Sequence, residues 1–190
     1  MNSNTKVPTS REATAVLTLA FSADPAVRWM YPDPHQYVTC FPRFVMALAG
    51  KAFEHGSAGA LVGYPAVALW LPPSVQPDEH ALVDLVQQTV SEELRGDMLA
   101  FFEQMGGFHP AEPHWYLPLI GVDPTLQGAG HGSELMKQGL ARCDSDHVLA
   151  YLEATNSRNL SLYERLGFER LGAIHAGSSP SIYPMARKPR

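Results

Sequence analysis

The chain is 190 residues long, 45% hydrophobic and 17% charged, an ordinary globular composition with enough length for one sizeable core. Its net charge of −5 argues against a nucleic-acid partner, and no stretch reaches the roughly 20 apolar residues of a membrane span. Cys40 and Cys143 give neither a disulfide framework nor metal-ligand spacing, and the eight histidines stand in no metal motif, so the expectation is a reducing, cytoplasmic setting and no metal.

Met1 to Thr9 is expected to be loose, with at most a short first strand. Ala15 to Phe21 is apolar and runs into A-F-S-A, which has the look of a cleavage site. The run is only about seven residues, lacks a positive n-region and follows Glu12, so Ser10–Ser22 is read as a helix instead. Asp24 to Pro34 reads as a loop carrying Arg28, Trp29, Met30 and Tyr31, stiffened by Pro32 and Pro34. His35 to Glu54 is a second helix, interrupted early by Pro42. Ala58–Val62 and Pro65–Leu71 form a hairpin turning at Gly63-Tyr64, with Trp70 read as core. Asp78 to Arg95 is helical, with Leu82, Leu85, Val86 and Val90 on one face, and Asp97 to Met105 is a further helix ended by Gly106-Gly107. In the loop from Phe108 to Pro113, His109 pairs with His114 as a potential ligand couple, but no third ligand joins them.

The stretch from Trp115 to Leu135 organises the chain. Trp115–Val122 is an apolar strand that Asp123-Pro124 stops, because proline gives no N–H to a ladder. Gly128, Gly130 and Gly132 then alternate, and from Ser133 the spacing of Leu135, Met136, Leu140 and Ala141 is helical. A glycine turn opening a helix offers free N–H groups and the positive end of the helix dipole, a site for phosphate or pyrophosphate. The turn has no P-loop lysine, and Ser133 stands at the third glycine of a dinucleotide fingerprint with no βαβ pattern before it. A turn with no ligand is the bland alternative. A second strand, His147–Ala154, leads to a helix on which Asn156, Asn159 and Tyr163 share one face and which Gly167 caps. Phe168–Ile174 is a strand, His175–Pro180 a flexible turn and Ile182–Ala186 the last strand.

The segment Gln127-x-x-Gly130-x-Gly132 resembles the Q/R-x-x-G-x-G/A motif of the GNAT N-acetyltransferase superfamily. N-S-R-N-L-S-L-Y-E-R-L-G-F, beginning at Asn156 about 30 residues later, is similar to that family's second signature. E-P-H-W-Y-L from Glu112, G-V-D-P from Gly121, A-V-A-L-W-L-P-P from Ala66 and the tail M-A-R-K-P look like the puromycin N-acetyltransferase branch, which does not fix the substrate. The resemblance implies an α/β (α+β) GNAT fold over residues 1–190 as a single domain. Its central mixed, mostly antiparallel sheet would have about six to seven strands, be splayed in the middle and be flanked by helices. It implies acetyl-CoA as cosubstrate, no metal, and direct transfer to a primary amine of a small molecule. Charge and the lack of a long apolar run lead to the expectation of no nucleic-acid or membrane partner, and the resemblance is compatible with a monomer or homodimer.

By the same resemblance, Gln127, Gly128, Ala129, Gly130, His131, Gly132 and Ser133 hold the pyrophosphate. Ile120 and Val122 pair their backbone with pantetheine, and the Val122 N–H faces the thioester oxygen. Tyr163 protonates the departing sulfur, a task for which a phenol stays protonated at neutral pH. Asn159 bonds the cofactor, while Asn156 either does the same or caps its helix. Glu153, at the end of the second strand, is a candidate base, ammonium partner or salt-bridge member, with His114 and Tyr116 as alternatives for the base. Trp29 and Tyr31 either line the acceptor pocket or pack as plain aromatics. A protein N-terminal or lysine acetyltransferase remains an alternative, as does a non-catalytic acyl-CoA-binding sensor.

Overall fold

A computed structural model describes residues 4–190; Met1 to Ser3, part of the segment expected to be loose, lie outside the described residues. Seven strands form one sheet in the order β1-β2-β3-β4-β5-β7-β6. They are β1 (Thr5–Lys6), β2 (Ala58–Leu61), β3 (Ala66–Leu71), β4 (His114–Val122), β5 (Leu149–Ala154), β6 (Glu169–Arg170) and β7 (Tyr183–Arg187). Every pairing is antiparallel except β4 with β5, so the sheet is mixed and mostly antiparallel, as the family resemblance implies. The first strand exists, though only two residues of it pair, Thr5 with Leu61 and Lys6 with Ala60.

Two helical layers cover the sheet. On one face lie α1 (Ser10–Ala20), α3 (Pro34–Ala49) and α5 (Glu79–Thr89), burying Leu17, Phe41, Val45 and Leu85 against Val67, Leu69 and Tyr116. Each such aliphatic or aromatic side chain contributes roughly 1.5–3 kcal/mol on burial. On the other face α7 (His131–Ser145) and α8 (Leu160–Arg165) bury Leu135, Met136, Leu140 and Tyr163 against Trp70, Trp115 and Leu152. Helix α1 comes so close to β4 that a Cβ on Gly121 would sit 2.6 Å from the Ala20 methyl. The helix starts with a capping box, Thr9 Oγ1 accepting from the Glu12 N–H at 3.2 Å and Glu12 Oε2 accepting from the Thr9 N–H at 2.8 Å.

Several sequence expectations need correction. The Asp24–Pro34 loop contains a helix, α2 (Pro25–Met30), because Asp24 caps it and Pro25 occupies its first position, where the missing N–H costs nothing. Pro42 does not interrupt α3. The carbonyl it leaves unpaired, on Val38, belongs to an exposed residue that water can satisfy, and the break falls instead at Gly50, before α4 (Lys51–Glu54). The helix expected to run to Arg95 ends at Thr89, and Ser91 opens α6 (Glu92–Phe108), which has Glu92 and Glu93 in its first turn. Helix α6 passes through Gly106-Gly107 and stops where His109 precedes Pro110, a residue barred from helical geometry. The strand expected over Phe168–Ile174 pairs only at Glu169–Arg170, with one isolated bridge from Ile174 to Ile182. The His175–Pro180 turn is tied down: Ser178 donates from its N–H and hydroxyl to Asp97 Oδ2 at 2.8 and 2.9 Å, and accepts the Trp29 indole N–H at 3.1 Å.

Candidate acyl-transfer cleft

The parallel ladder between β4 and β5 is short. It joins His114–Tyr116 to Leu149–Tyr151 and stops; beyond it β4 continues on β3 and β5 on β7. The strands therefore part between Leu117–Val122 and Leu152–Ala154, which is the splay that the family resemblance implies. A bulge coincides with the parting. Leu69 faces Leu119 and Leu71 faces Tyr116, so Leu117 and Pro118 together oppose Trp70. Pro118 has no N–H to keep a ladder going. Past the bulge, the Asp123 N–H donates to Pro65 O at 2.9 Å on the β3 side. Backbone alternation then turns the N–H and C=O of Val122 and Ile120 into the gap. Gln127 Nε2 donates to Val122 O at 3.3 Å, fixing the turn against that edge.

The gap opens into a cleft of about 590 Å³. The glycine turn forms one wall: Gln127, Gly128, Gly130, His131, Gly132 and Ser133 all line it, and Ala129 does not. Gly128 and Gly130 hold φ of +82° and +88°, a conformation that a Cβ disfavours. Helix α7 starts at His131, two residues before the sequence suggests, and no side chain caps it. Its first N–H groups are free for an acceptor. Ile120 and Val122 line the gap, Asn159 lies at the exposed mouth, and Tyr116, Glu153, Tyr163 and Trp29 line the interior.

Two expected residues stand elsewhere. The Tyr31 ring is fully buried, with its hydroxyl 3.1 Å from Thr89 Oγ1, so it packs rather than lines the pocket. His114 lies outside the cleft, its Nδ1 2.9 Å from Glu112 O. Asn156, Asn159 and Tyr163 do not share one continuous α-helix. Ser157–Asn159 is a 3₁₀ turn that Asn156 caps through the Arg158 N–H at 3.1 Å, and α8 begins at Leu160. All three still reach the cleft.

Tyr163 is buried on the α7–α8 face, and desolvation raises its phenol pKa above 10, with the charge of Asp24 adding to the effect. Its hydroxyl makes no hydrogen bond to the described residues and opens to the cleft, so it is not one of the sealed-in polar atoms left without a partner. Glu153 lies on the opposite face of β5, the same face as Tyr151. Its side chain is 4% exposed, and Oε1 sits 3.2 Å from His109 Nε2 without alignment for a hydrogen bond. Glu153 Oε1 and the Tyr151 hydroxyl are the buried side-chain polar atoms without a hydrogen-bond partner among the described residues. Around them the His109, Tyr116 and Tyr151 rings pack at centroid distances of 4.5 to 5.8 Å, and burial, then the charge of Glu153, drives the Tyr116 pKa up.

Sequence reasoning missed Asp24. Its buried carboxylate lines the cleft, with Oδ1 accepting the Ala26 and Val27 N–H groups at 3.0 and 3.1 Å and Oδ2 the Thr155 hydroxyl at 2.6 Å. Desolvation nonetheless raises its pKa. An acidic cap before proline is visible in the sequence; its burial beside β5 is a tertiary fact. No group of three potential metal ligands occurs among the described residues.

Residues 63–168 match the model of the acetyltransferase (GNAT) family. A mycothiol acetyltransferase from Acidothermus cellulolyticus is 42% identical over 67 residues, 34% of this chain and 20% of that protein. One from Kocuria rhizophila is 36% identical over 92 residues, 40% of this chain and 30% of that protein. The chain thus spans a fifth to a third of these relatives' length. The solved histone acetyltransferase HPA2 and related acetyltransferase of Corynebacterium glutamicum superimposes with a TM-score of 0.70 at 24% identity, covering 98% of this chain and 96% of that one. Drosophila melanogaster polyamine N acetyltransferase gives 0.65 at 16% identity, covering 97% and 98%. At those identities the likeness is one of fold.

Proposed function

This chain belongs to the acetyltransferase (GNAT) family, and on that footing we propose that it moves the acetyl group of acetyl-CoA directly to a primary amine of a small molecule, in the cytoplasm and without a metal. The observation that carries the reading is that one cleft collects the uncapped start of α7, the open edge of β4 and the free Tyr163 hydroxyl. These residues fit the cosubstrate, which supplies an activated thioester. The N–H groups of Gly132 and Ser133 and the α7 dipole take its pyrophosphate, and Asn159 adds a contact at the mouth. The edge of Ile120 and Val122 extends pantetheine as a further strand.

The Val122 N–H faces the charge that develops on the carbonyl oxygen as the amine nitrogen forms its bond to carbon, a contribution worth about 2.7–4 kcal/mol for one donor. Tyr163 gives its proton to the sulfur as the C–S bond breaks. Glu153 takes the proton that the amine loses. Neither Cys40 nor Cys143 lines the cleft, which supports transfer in a ternary complex rather than through an acyl-cysteine. Within the family, the segments similar to puromycin N-acetyltransferases support an aminated small molecule as acceptor, while the mycothiol acetyltransferases are named for a different compound.

The test is a melt with and without acetyl-CoA, followed by CoA thiol release in the presence of amines. Acetyl-CoA at a hundredfold excess over its dissociation constant adds about 2.7 kcal/mol. A shift with turnover supports the reading. A shift with no turnover on any small amine or peptide amine favours a CoA-binding module, and no shift removes the proposal altogether.

A further inference from the structure

The cleft has two unlike halves. The half under the glycine turn is polar and basic, with His131, Arg158 and Arg165 on its wall. The half between α2 and α6 is apolar: Trp29, Met98, Phe101, Phe102, Met105 and Ile182 line it. The Trp29 and Phe101 rings lie 5.6 Å apart at 48°, and Trp29 is held in place because Ser178 accepts its indole N–H, which leaves the ring no free polar atom. Asp24 and Glu153 are the acidic groups on the cleft wall, and both belong to the region where β4 and β5 part. Among the described residues no carboxylate lines the apolar end; Asp97, beside it on α6, is taken up by the N–H and hydroxyl of Ser178.

From this division we propose that the acceptor is an amine carried on an aromatic or similarly flat apolar body, a deepening that rests on the transferase reading above. Its ammonium group sits at Asp24 and Glu153, and its body lies between Trp29, Phe101 and Met105. The other common acceptor chemistries fail on the same wall. A polyamine brings a second and third ammonium, each needing an anion that the apolar end lacks, and an unpaired charge there is costly. An amino sugar brings hydroxyls that the apolar end cannot satisfy. An aromatic amine leaves nothing unpaired and gains ring packing of about 0.5–1.5 kcal/mol per pair beyond area burial.

The experiment compares kcat/KM for phenethylamine, butylamine, spermidine and glucosamine by CoA thiol release, in the parent and in Trp29→Leu. A second variant, Met105→Gln, serves if the first fails to fold. The expected result is phenethylamine at least tenfold above the other three, with its advantage over butylamine shrinking at least fivefold in either variant. Preference for spermidine or glucosamine, or an advantage that neither variant changes, overturns the proposal and leaves the transferase reading standing. No release with any amine, while acetyl-CoA still raises the melting temperature, takes down both.

Discussion

Replacing Tyr163 by phenylalanine separates chemistry from folding in this cleft. The ring packs 6.0 Å from Phe168, and phenylalanine keeps that packing. The hydroxyl has no hydrogen-bond partner among the described residues, so its removal leaves no orphaned group behind. The stability change should stay within about 0.5 kcal/mol, or about 2 °C in melting temperature for a chain of this size. The catalytic cost is of another order. A thiolate leaving group with a pKa near 8.5 gains from a proton donor, and losing a positioned acid costs about 10²–10⁴ in rate, or about 2.7–5.4 kcal/mol. Because burial holds the phenol pKa above 10, the parent enzyme should keep its rate to at least about pH 10 on the alkaline side. The assay is CoA thiol release with the preferred amine, paired with a melt against acetyl-CoA concentration. The expected pattern is a rate loss of at least a hundredfold with the acetyl-CoA shift intact. An unchanged rate, or a parallel loss of cosubstrate binding, would refute the acid role.

Two further perturbations test the cleft from its edges. Gly130→Ala places a Cβ at φ +88°, which costs about 1–2 kcal/mol and should lower the melting temperature by roughly 2–8 °C, whereas Gly132→Ala, whose Cβ would meet Val122 at an ordinary 3.4 Å, should leave the free protein's melt unchanged. Equal losses in the two would mean that the turn is not held in the left-handed conformation. Asp24→Asn keeps a helix-capping side chain and removes the charge. The folded pKa of Asp24 is raised above its unfolded value of about 3.8, so the folded state holds more protons, and this group's contribution is fully present below that value and lost as pH rises through the folded pKa. The melting temperature of the variant relative to the parent should therefore climb from about pH 4 toward neutrality. A difference that is flat or falls with pH would contradict the burial of that carboxylate.

The glycine turn and the second signature were legible because their chemistry is local. Gly128 and Gly130 announce positive φ, and the helix after them has a clear apolar face. The seven-stranded sheet followed from the family resemblance rather than from patterning, since β3 is apolar at every position and shows no alternation. What the sequence hid is tertiary. Nothing in the spacing of His109 and Glu153 says that a loop folds one onto the other, and the Trp29–Ser178 bond spans 149 residues. Asp24 was passed over because a cap before proline looks the same whether it ends in solvent or beneath a sheet. The boundary at Val90–Ser91 was missed because the apolar period carries through it, while Ser91 makes no side-chain cap bond that would mark a start.

The extra residue at Leu117–Pro118 puts the two ends of β4 out of phase. Before it, Tyr116 faces the α1 layer; after it, Leu119 and Gly121 do, and Ile120 and Val122 face α7. With the strand in phase, the side chains of Ile120 and Val122 would be driven into Leu17 and Ala20, where there is room only for glycine. A β4 transplanted from a relative therefore has to bring a glycine to the α1-facing side opposite Leu17 and Ala20, with or without the extra residue. Unless a glycine falls on that face, α1 cannot close over the strand, however well the rest of the sequence agrees.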